Sequence, residues 1–186
     1  ESNHKSDFVN QDRFILGGKP SDTKKVSELF ENRFSQVPVI QTTYETAELI
    51  KYMNNCFLAT KVSFLNEMKQ VSEKCGADWD ISIIGFLLDH RIGQSHYQVP
   101  GPDGKLGFGG KCFPKDVSAM IDFGNKLGLD MHTLNGVWDT NCEVRPEKDW
   151  EDNDTGVAWV KKDRKFTLKD VEMIQEAVRQ HESDKE

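Results

Sequence analysis

Long apolar segments are absent from this sequence, in which 30% of the 186 residues are charged and 37% are hydrophobic. No stretch approaches the roughly 20 apolar residues that a membrane-spanning helix needs. Residues 1–12 are polar apart from Phe8 and Val9, so a secretory signal is not expected. We therefore expect a globular chain with one good core and no membrane segment.

Cysteine and histidine are sparse, with four and five copies respectively. No C-x-x-C pair or complete zinc-ligand spacing occurs, so no metal site is expected. Without an export signal, the cysteines are expected to be thiols in a cytosolic protein. Basic residues are outnumbered, 24 against 31 acidic ones. This balance argues against nonspecific nucleic-acid binding, but not against an anionic small ligand at a loop or helix end.

The first 41 residues have the pattern of a short α/β unit. Residues 13–16 and 37–40 are strand candidates, and the apolar spacing between them predicts a helix. This helix is expected to begin at a Ser21 or Asp22 cap and to end near Phe34. The unit resembles the end of an α/β domain.

A long helix follows, capped by Thr42 or Thr43, continuing to Cys75 and stopping at Gly76. Apolar residues recur on two of its sides, which indicates burial on both. At ~1.5 Å per residue it would be about 50 Å long, more than the core of one small domain. Part of it is therefore expected to pack against another chain or domain.

The rest of the chain predicts three shorter helices and a charged tail. Helices are expected at residues 80–88, from Pro114 to Gly124 or Leu127, and through Leu134 to about Arg145. Residues 99–113 form a glycine-rich loop. In the tail, Thr167 begins a capping-box pattern that predicts a short amphipathic helix.

The segment Gly-Phe-Gly-Gly-Lys-Cys-Phe-Pro-Lys-Asp at 107–116 carries the clearest chemical signal. Its glycines allow close approach to a ligand, and Pro114 marks a helix start within one turn of Cys112. Helix-end N–H groups, together with Lys111 and Lys115, would stabilise a thiolate there. Asp116, one turn further on, could orient a water or accept a proton. The alternative is a glycine turn with a buried structural cysteine.

Two further groups are candidates. Lys51 and Asn55 are one helical turn apart and interrupt an apolar helix, so they could together stabilise an oxyanion. A solvated polar stripe is the alternative. Arg91, in the Asp-His-Arg-Ile-Gly segment 89–93, could clamp a phosphate or carboxylate, although a lone loop arginine is usually a surface residue. The glycine segment matches neither the G-x-G-x-x-G fingerprint nor a P-loop.

Taken together and in order, these motifs resemble the UDP-glucose/GDP-mannose dehydrogenase family. The resemblance covers about residues 1–145 and rests on residues 7–17, 47–51, 55–61, 64–67, 89–93 and 107–116. It implies a two-step oxidation of a sugar C6 alcohol to the acid with two NAD⁺, in which Cys112 attacks the intermediate aldehyde and water hydrolyses the resulting thioester.

The resemblance also implies the remaining site roles. Lys51 and Asn55 would hold the oxyanion, and Asp116 would assist water or proton transfer. The sugar nucleotide would lie against Gly107, Phe108 and Gly109, with Arg91 reaching it across a dimer interface. The cofactor-binding residues implied are Glu1 and Lys115.

The implied fold is mainly α: a helical central dimerisation domain with a long core helix, preceded by a short remnant of a Rossmann domain. The expected divisions are 1–41, the edge of an N-terminal NAD-binding domain; 42–145, the central domain; and 146–186, a charged appendage. The NAD fingerprint and a C-terminal nucleotide-binding domain are not recognisable, and residues 102–105 look inserted. The isolated chain is therefore expected to be inactive.

Among functions, oxidation of UDP-glucose to UDP-glucuronate, as in polysaccharide biosynthesis, is favoured over GDP-mannose or another UDP-sugar by family analogy alone. The expected partners are a nucleotide sugar and a second copy of the chain along the long helix. One alternative is a non-catalytic helical dimerisation module. Another is a cysteine hydrolase, which would need His90, His96 or His132 within hydrogen-bond reach of Cys112.

Overall fold

The computed structural model describes residues 8–151, and this part of the chain is mainly helical, as expected. Its elements are β1 (Phe14–Gly17), α1 (Pro20–Arg33), β2 (Val39–Thr42), α2 (Tyr44–Cys75), α3 (Trp79–Leu87), α4 (Phe113–Lys126), α5 (His132–Val144) and a 3-10 turn (Asp149–Glu151). The cofactor role of Glu1, the helix beginning at Thr167 and most of the 146–186 appendage fall outside the described residues.

The α/β unit is a parallel β1-α1-β2 crossover in which Phe14 lies opposite Val39. Both strands begin later in the sequence than predicted, by one and two residues. The helix cap also differs from the prediction: Lys19 is the N-cap and Pro20 occupies the first turn. Proline suits this position because its fixed φ is helical and its missing N–H is not needed there.

Aromatic packing holds this unit together. The rings of Phe14 and Phe30 stack with centroids 4.5 Å apart. Phe34 and Phe8 surround them, with centroids 5.1 Å and 6.0 Å from Phe14. Phe14 on β1 thereby fixes α1 against the strand pair.

The long helix α2 forms as its capping residues predict. The Thr43 hydroxyl accepts a hydrogen bond from the Thr46 N–H at 3.3 Å, and Gly76 ends the helix. Its 32 residues correspond to about 48 Å. Ala59 and Leu65 are buried, whereas several large apolar side chains remain exposed along it: Leu49, Met53, Phe57, Phe64 and Val71.

The helical core lies where α2, α4 and α5 meet. Its buried residues are Cys56, Ala59, Phe108, Val117 and Val137. The loop from residue 88 to 112 crosses this core and delivers Phe108 into it. None of the helices within residues 8–151 has the length and apolar content that crossing a bilayer requires.

Residues just beyond α5 pack with this helical unit. Trp150 is 1% exposed, and its ring lies 5.6 Å from that of Trp138. The compact unit accordingly extends through Trp150.

Candidate active site

Cys112 is the N-cap residue of α4, as the sequence predicts. The Asp116 N–H donates to the Cys112 carbonyl at 2.9 Å, forming the first helical turn. The residue is partly exposed, so a reagent or substrate can approach. Unpaired N–H groups at a helix start favour a negative charge, which here would be the thiolate.

Lys115 is the cation associated with this turn. Its ammonium is ion-paired with Asp116. The pKa of Lys115 is raised, chiefly by the hydrogen bond to Asp116. Burial opposes this increase, and the charges of Asp116, Tyr52 and Cys112 add to it. Lys115 and Cys112 therefore interact electrostatically. A cofactor contact for Lys115 stays a prediction.

Asp116 joins α4 to the long helix. Its side chain is 1% exposed and accepts a hydrogen bond from Asn55 Nδ2 at 2.5 Å. Lys51 Nζ lies 3.8 Å from the same carboxylate oxygen. Burial would raise the pKa of Asp116, but hydrogen bonds from Lys115 and Asn55 and the charges of Lys51 and Lys115 outweigh it and lower that pKa. Asp116 is thus a buried carboxylate, one turn after Cys112, that accepts hydrogen bonds from Lys115 and Asn55 and lies within ion-pair distance of Lys51.

The second cysteine in this region, Cys56, has the opposite character. It is 7% exposed within the core, and its pKa is raised to about 11 by burial and by the charge of Asp116. A thiol in this environment is inert at neutral pH. Of the two cysteines beside Asp116, Cys112 is therefore the one suited to act as a nucleophile.

The glycine loop before Cys112 is held by two buried asparagines. Asn66 Oδ1 accepts from the Gly107 N–H at 3.2 Å. Asn141 accepts from the Phe108 N–H at 2.7 Å and donates to the Phe108 carbonyl at 2.9 Å. Gly107 has φ +66°, and a Cβ there would lie 2.4 Å from Asn141 Oδ1. Only glycine fits this position without displacing the clamp.

A cavity of about 460 Å³ opens between this loop and the segment before it. It is lined in part by Gly107, Phe108, Gly109, Phe113, His96 and Gln98. The three residues expected to contact a sugar nucleotide therefore share one cavity. The side chain of Phe108 is 4% exposed and packs mainly into the hydrophobic core, so little of it faces the cavity.

Arg91 is not brought to this cavity within one chain. Its side chain is 78% exposed and ion-paired with Asp89, which raises the pKa of Arg91. Lys61 on α2 holds the same loop by donating to the Gly93 carbonyl at 2.8 Å. The loop is thus fixed while the guanidinium points outward, so any contact with the site would have to be made in a neighbouring chain.

The histidines of the hydrolase alternative occupy different places. The His96 ring packs against Phe113, the residue after Cys112, with centroids 5.3 Å apart. Its pKa is lowered by burial and by the charge of Lys61. His90 and His132 lie in the 89–93 segment and at the start of α5, and all three histidines are exposed to solvent.

The sequence motifs do not identify three residues that support the loop: Asn66, Asn141 and Arg145. Their spacing along the helices could have indicated them. Asn66 lies three helical turns after Asn55 and so on a similar face of α2. Asn141 and Arg145 continue the four-residue spacing of buried Val137, so both are polar residues on an apolar face.

The described residues do not fit a dinucleotide. Such a site needs glycines after a strand that leave an open cradle at a helix start. Gly17 ends β1 and Gly18 follows it, but a Cβ on Gly17 would lie 2.6 Å from the Ala47 Cβ. The turn therefore packs against α2 instead of opening toward a pyrophosphate.

Comparison with known proteins gives consistent matches. Residues 45–143 match the central domain of the UDP-glucose/GDP-mannose dehydrogenase family. The chain is 36% identical over 139 residues to UDP-glucose 6-dehydrogenase TuaD of Bacillus subtilis and 39% identical over 136 residues to YwqF of the same organism. These matches cover 75% and 73% of this chain. In each case the chain spans 29% of the relative's length.

Among solved structures, a UDP-glucose dehydrogenase from the archaeon Pyrobaculum islandicum superimposes with a TM-score of 0.65 at 35% identity. The superposition covers 73% of this chain and 30% of that structure. The similarity therefore extends to the three-dimensional arrangement of the helical unit.

Proposed function

This chain belongs to the UDP-glucose/GDP-mannose dehydrogenase family, and on that premise we propose that it carries the nucleophile of a UDP-glucose 6-dehydrogenase. The observation that carries the proposal is the position of Cys112 at the start of α4, one turn from a buried Asp116 that holds Lys51 and Asn55. The name of the relatives supports UDP-glucose as substrate, and GDP-mannose is the competing nucleotide sugar.

The first step assigned to the chain's own residues is attack on a sugar aldehyde. The Cys112 thiolate forms a C–S bond with the C6 carbonyl, whose electron pair moves to oxygen. The ammonium of Lys51, whose side chain is 55% exposed, and the amide of Asn55 would stabilise this oxyanion, because donors that are already in position need not reorganise as the charge develops. Asp116 holds both donors in place.

The second step is hydrolysis of the thioester. Water adds to the carbonyl carbon, the C–S bond breaks and the Cys112 thiolate leaves, giving the carboxylic acid. Asp116, kept ionised by its lowered pKa, can accept a hydrogen bond from that water. The thiolate returns to the helix start, where the N–H groups and Lys115 make it a better leaving group.

Two hydride removals are also needed in such an oxidation. Family membership implies NAD⁺ as the oxidant, but the described residues offer no site for it. No step is therefore assigned to it. The proposed thiol chemistry also needs a reducing compartment such as the cytosol.

The expected oligomer is a homodimer formed along α2. The exposed side chains of Phe57, Phe64 and Val71 recur every seven residues, and Leu49 and Met53 extend the stripe by one-turn steps. Such a seam suits a second copy of the same helix, because a two-fold axis pairs the stripe with itself. Arg91, outward-facing in one protomer, could then reach the partner's site.

Selective alkylation tests the proposed function. Iodoacetamide at pH 7 should modify Cys112 faster than Cys75, which is exposed, and far faster than Cys56, with sites resolved by peptide mass spectrometry. UDP-glucose should slow the reaction of Cys112 alone. A Cys112→Ser variant identifies the fast phase.

The outcomes separate the competing functions. Stronger protection by GDP-mannose than by UDP-glucose would reassign the substrate. An unreactive Cys112, unaffected by either nucleotide sugar, would favour the non-catalytic dimerisation module. Loss of Cys112 reactivity in His96→Asn, with no nucleotide-sugar protection, would favour a cysteine hydrolase.

A further inference from the structure

A buried arginine, Arg145, follows the last residue of α5 and packs against the glycine loop. Arg145 is 2% exposed, and its Nε and Nη2 donate to the two carboxylate oxygens of Asp149, both at 2.8 Å. Nη2 also donates to Asp103 at 2.7 Å, and Nη1 donates to the Leu106 carbonyl at 3.3 Å. The guanidinium thus joins three separate points of the chain by charge-assisted bonds.

The same group supports the glycine loop from below. A Cβ on Gly109 would lie 2.3 Å from Arg145 Nη2, so the guanidinium packs directly under this residue. The pKa of Asp149 is lowered, first by the Arg145 hydrogen bonds and, against opposing burial, by nearby charges and a backbone hydrogen bond from Gly110. Arg145 therefore contacts the loop at Gly109, three residues before Cys112, and Asp149 contacts it at Gly110, two residues before Cys112.

The turn at residues 101–105 is the other part of this network. Gly101 donates to the Lys105 carbonyl at 2.8 Å, and Gly104 donates to the Gly101 carbonyl at 2.9 Å. Asp103 at its tip binds Arg145, and Gly101, Pro102 and Asp103 line the 460 Å³ cavity. The segment that looks inserted in the sequence is thus one wall of the cavity.

We propose that Arg145 is a positioning residue for the nucleophile: by binding Asp103 and Asp149 it fixes the cavity wall and the glycine loop that leads to Cys112. The proposal rests on the proposed function in taking Cys112 as the nucleophile and the cavity as the nucleotide-sugar site. Asn66 and Asn141 hold the loop at residues 107 and 108, and Arg145 holds the part nearest the thiol.

The network joins one buried arginine to two partly exposed carboxylates, whose side chains are 48% (Asp103) and 29% (Asp149) exposed. Such pairs add little net stability compared with apolar packing, whereas the directional bonds of a planar guanidinium fix the relative positions of the groups that they join. Four glycines lie between residues 104 and 110, so this segment would otherwise have great conformational freedom. The forked guanidinium removes that freedom through bonds on both sides of the loop.

Variants of Asp103 and Arg145 test the proposal. Asp103→Ala removes one carboxylate from an exposed turn, and Arg145→Lys keeps the charge but loses the fork that binds two partners at once. Lys105→Gln is the matched control, because it breaks the exposed Lys105–Glu147 ion pair that joins the same two segments. Urea unfolding of each variant establishes that it is folded.

The readouts are the alkylation rate of Cys112 against pH and the UDP-glucose concentration that halves this rate. We expect both test variants to shift the Cys112 profile to higher pH and to raise the half-protecting concentration at least tenfold. Cys75 should be unaffected, and Lys105→Gln should stay within twofold of wild type. Asp103→Glu should restore part of the protection.

Folded test variants that behave like Lys105→Gln would overturn the proposal and leave Arg145 a purely structural residue. Should Arg145→Lys not fold, Asp103→Ala decides the question alone. Absence of UDP-glucose protection in the wild type would contradict the proposed function. The dependence of the Cys112 alkylation rate on pH needs no ligand, so it would still decide whether Arg145 positions the thiol.

Discussion

Asn141 offers the most direct test of how the glycine loop is held. Its side chain is fully buried, accepts from the Phe108 N–H and donates to the Phe108 carbonyl. In Asn141→Asp the first bond survives, but an ionised carboxylate oxygen would face the Phe108 carbonyl oxygen across the former 2.9 Å donor contact. Protonation of the carboxyl would restore a donor at that position.

The magnitude follows from these contacts. One buried carbonyl losing its donor costs about 1–3 kcal/mol. Burial and the facing carbonyl should raise the pKa of the new carboxyl by about 2 units, which adds about 2.7 kcal/mol once it ionises. A raised pKa means that this stability is present below the unfolded pKa and is lost as pH rises through the folded pKa. Because the lost donor is part of what raises this pKa, the two energies are not additive, and Asn141→Asp should lose about 2 kcal/mol more stability relative to wild type at pH 7 than at pH 4.

Urea unfolding monitored by tryptophan fluorescence measures this difference, since Trp138 lies on the same helix. Asn135→Asp is the control, because Asn135 is an exposed asparagine of α5. Equal losses at pH 4 and pH 7, or a loss no larger than that of the control, would refute the assigned hydrogen bonding between Asn141 and Phe108.

Two further predictions concern the oligomer and acid stability. Phe57, whose side chain is 67% exposed, lies on the proposed dimer stripe, so Phe57→Glu should convert the dimer into monomers in sedimentation analysis. Phe123→Glu is the control and should leave the dimer intact, because Phe123 is similarly exposed, at 55%, but lies on α4. A wild-type chain that is monomeric at tens of micromolar would contradict the dimer. The lowered pKa of Asp116 stabilises the fold above the unfolded pKa, about 3.9, and this contribution is lost as pH falls through the folded pKa. The urea midpoint should therefore fall as the pH is lowered, and this fall should be smaller in Asp116→Asn. Asp122→Asn is the control, because it changes a carboxylate in an exposed ion pair. Parallel curves of urea midpoint against pH for the two variants would contradict the prediction.

Local signals in the sequence identify most of the helices. Thr43 caps α2 and Gly76 ends it because both act within one turn of the chain. The same reasoning misplaces the start of α1, where Pro20 decides the first turn and the polar residues after it do not. The strands are shifted because strand ends depend on the partner strand, which lies beyond any local pattern.

The candidate site divides along similar lines. Pro114 and the glycines place Cys112 at a helix start, and the spacing to Asp116 makes one helical turn. By contrast, the Asn55–Asp116 contact joins residues 61 positions apart, and only family resemblance suggests it. Arg91 is predicted at the site, but in one chain it lies on an outward-facing loop.

The sequence by itself determined the helical class, the long helix and the thiol at the start of α4, because propensity, capping and apolar spacing act over a few neighbouring residues. Only the tertiary structure decided which polar groups meet around the glycine loop. Burial removes water from Asn141 and Arg145, so each must find hydrogen-bond partners within the protein. Phe108 lies 33 positions from Asn141 and Asp103 lies 42 positions from Arg145, whereas Asp149 follows Arg145 by four residues. Those partners, Phe108, Asp103 and Asp149, are fixed by the packing of α5 against α2 and α4.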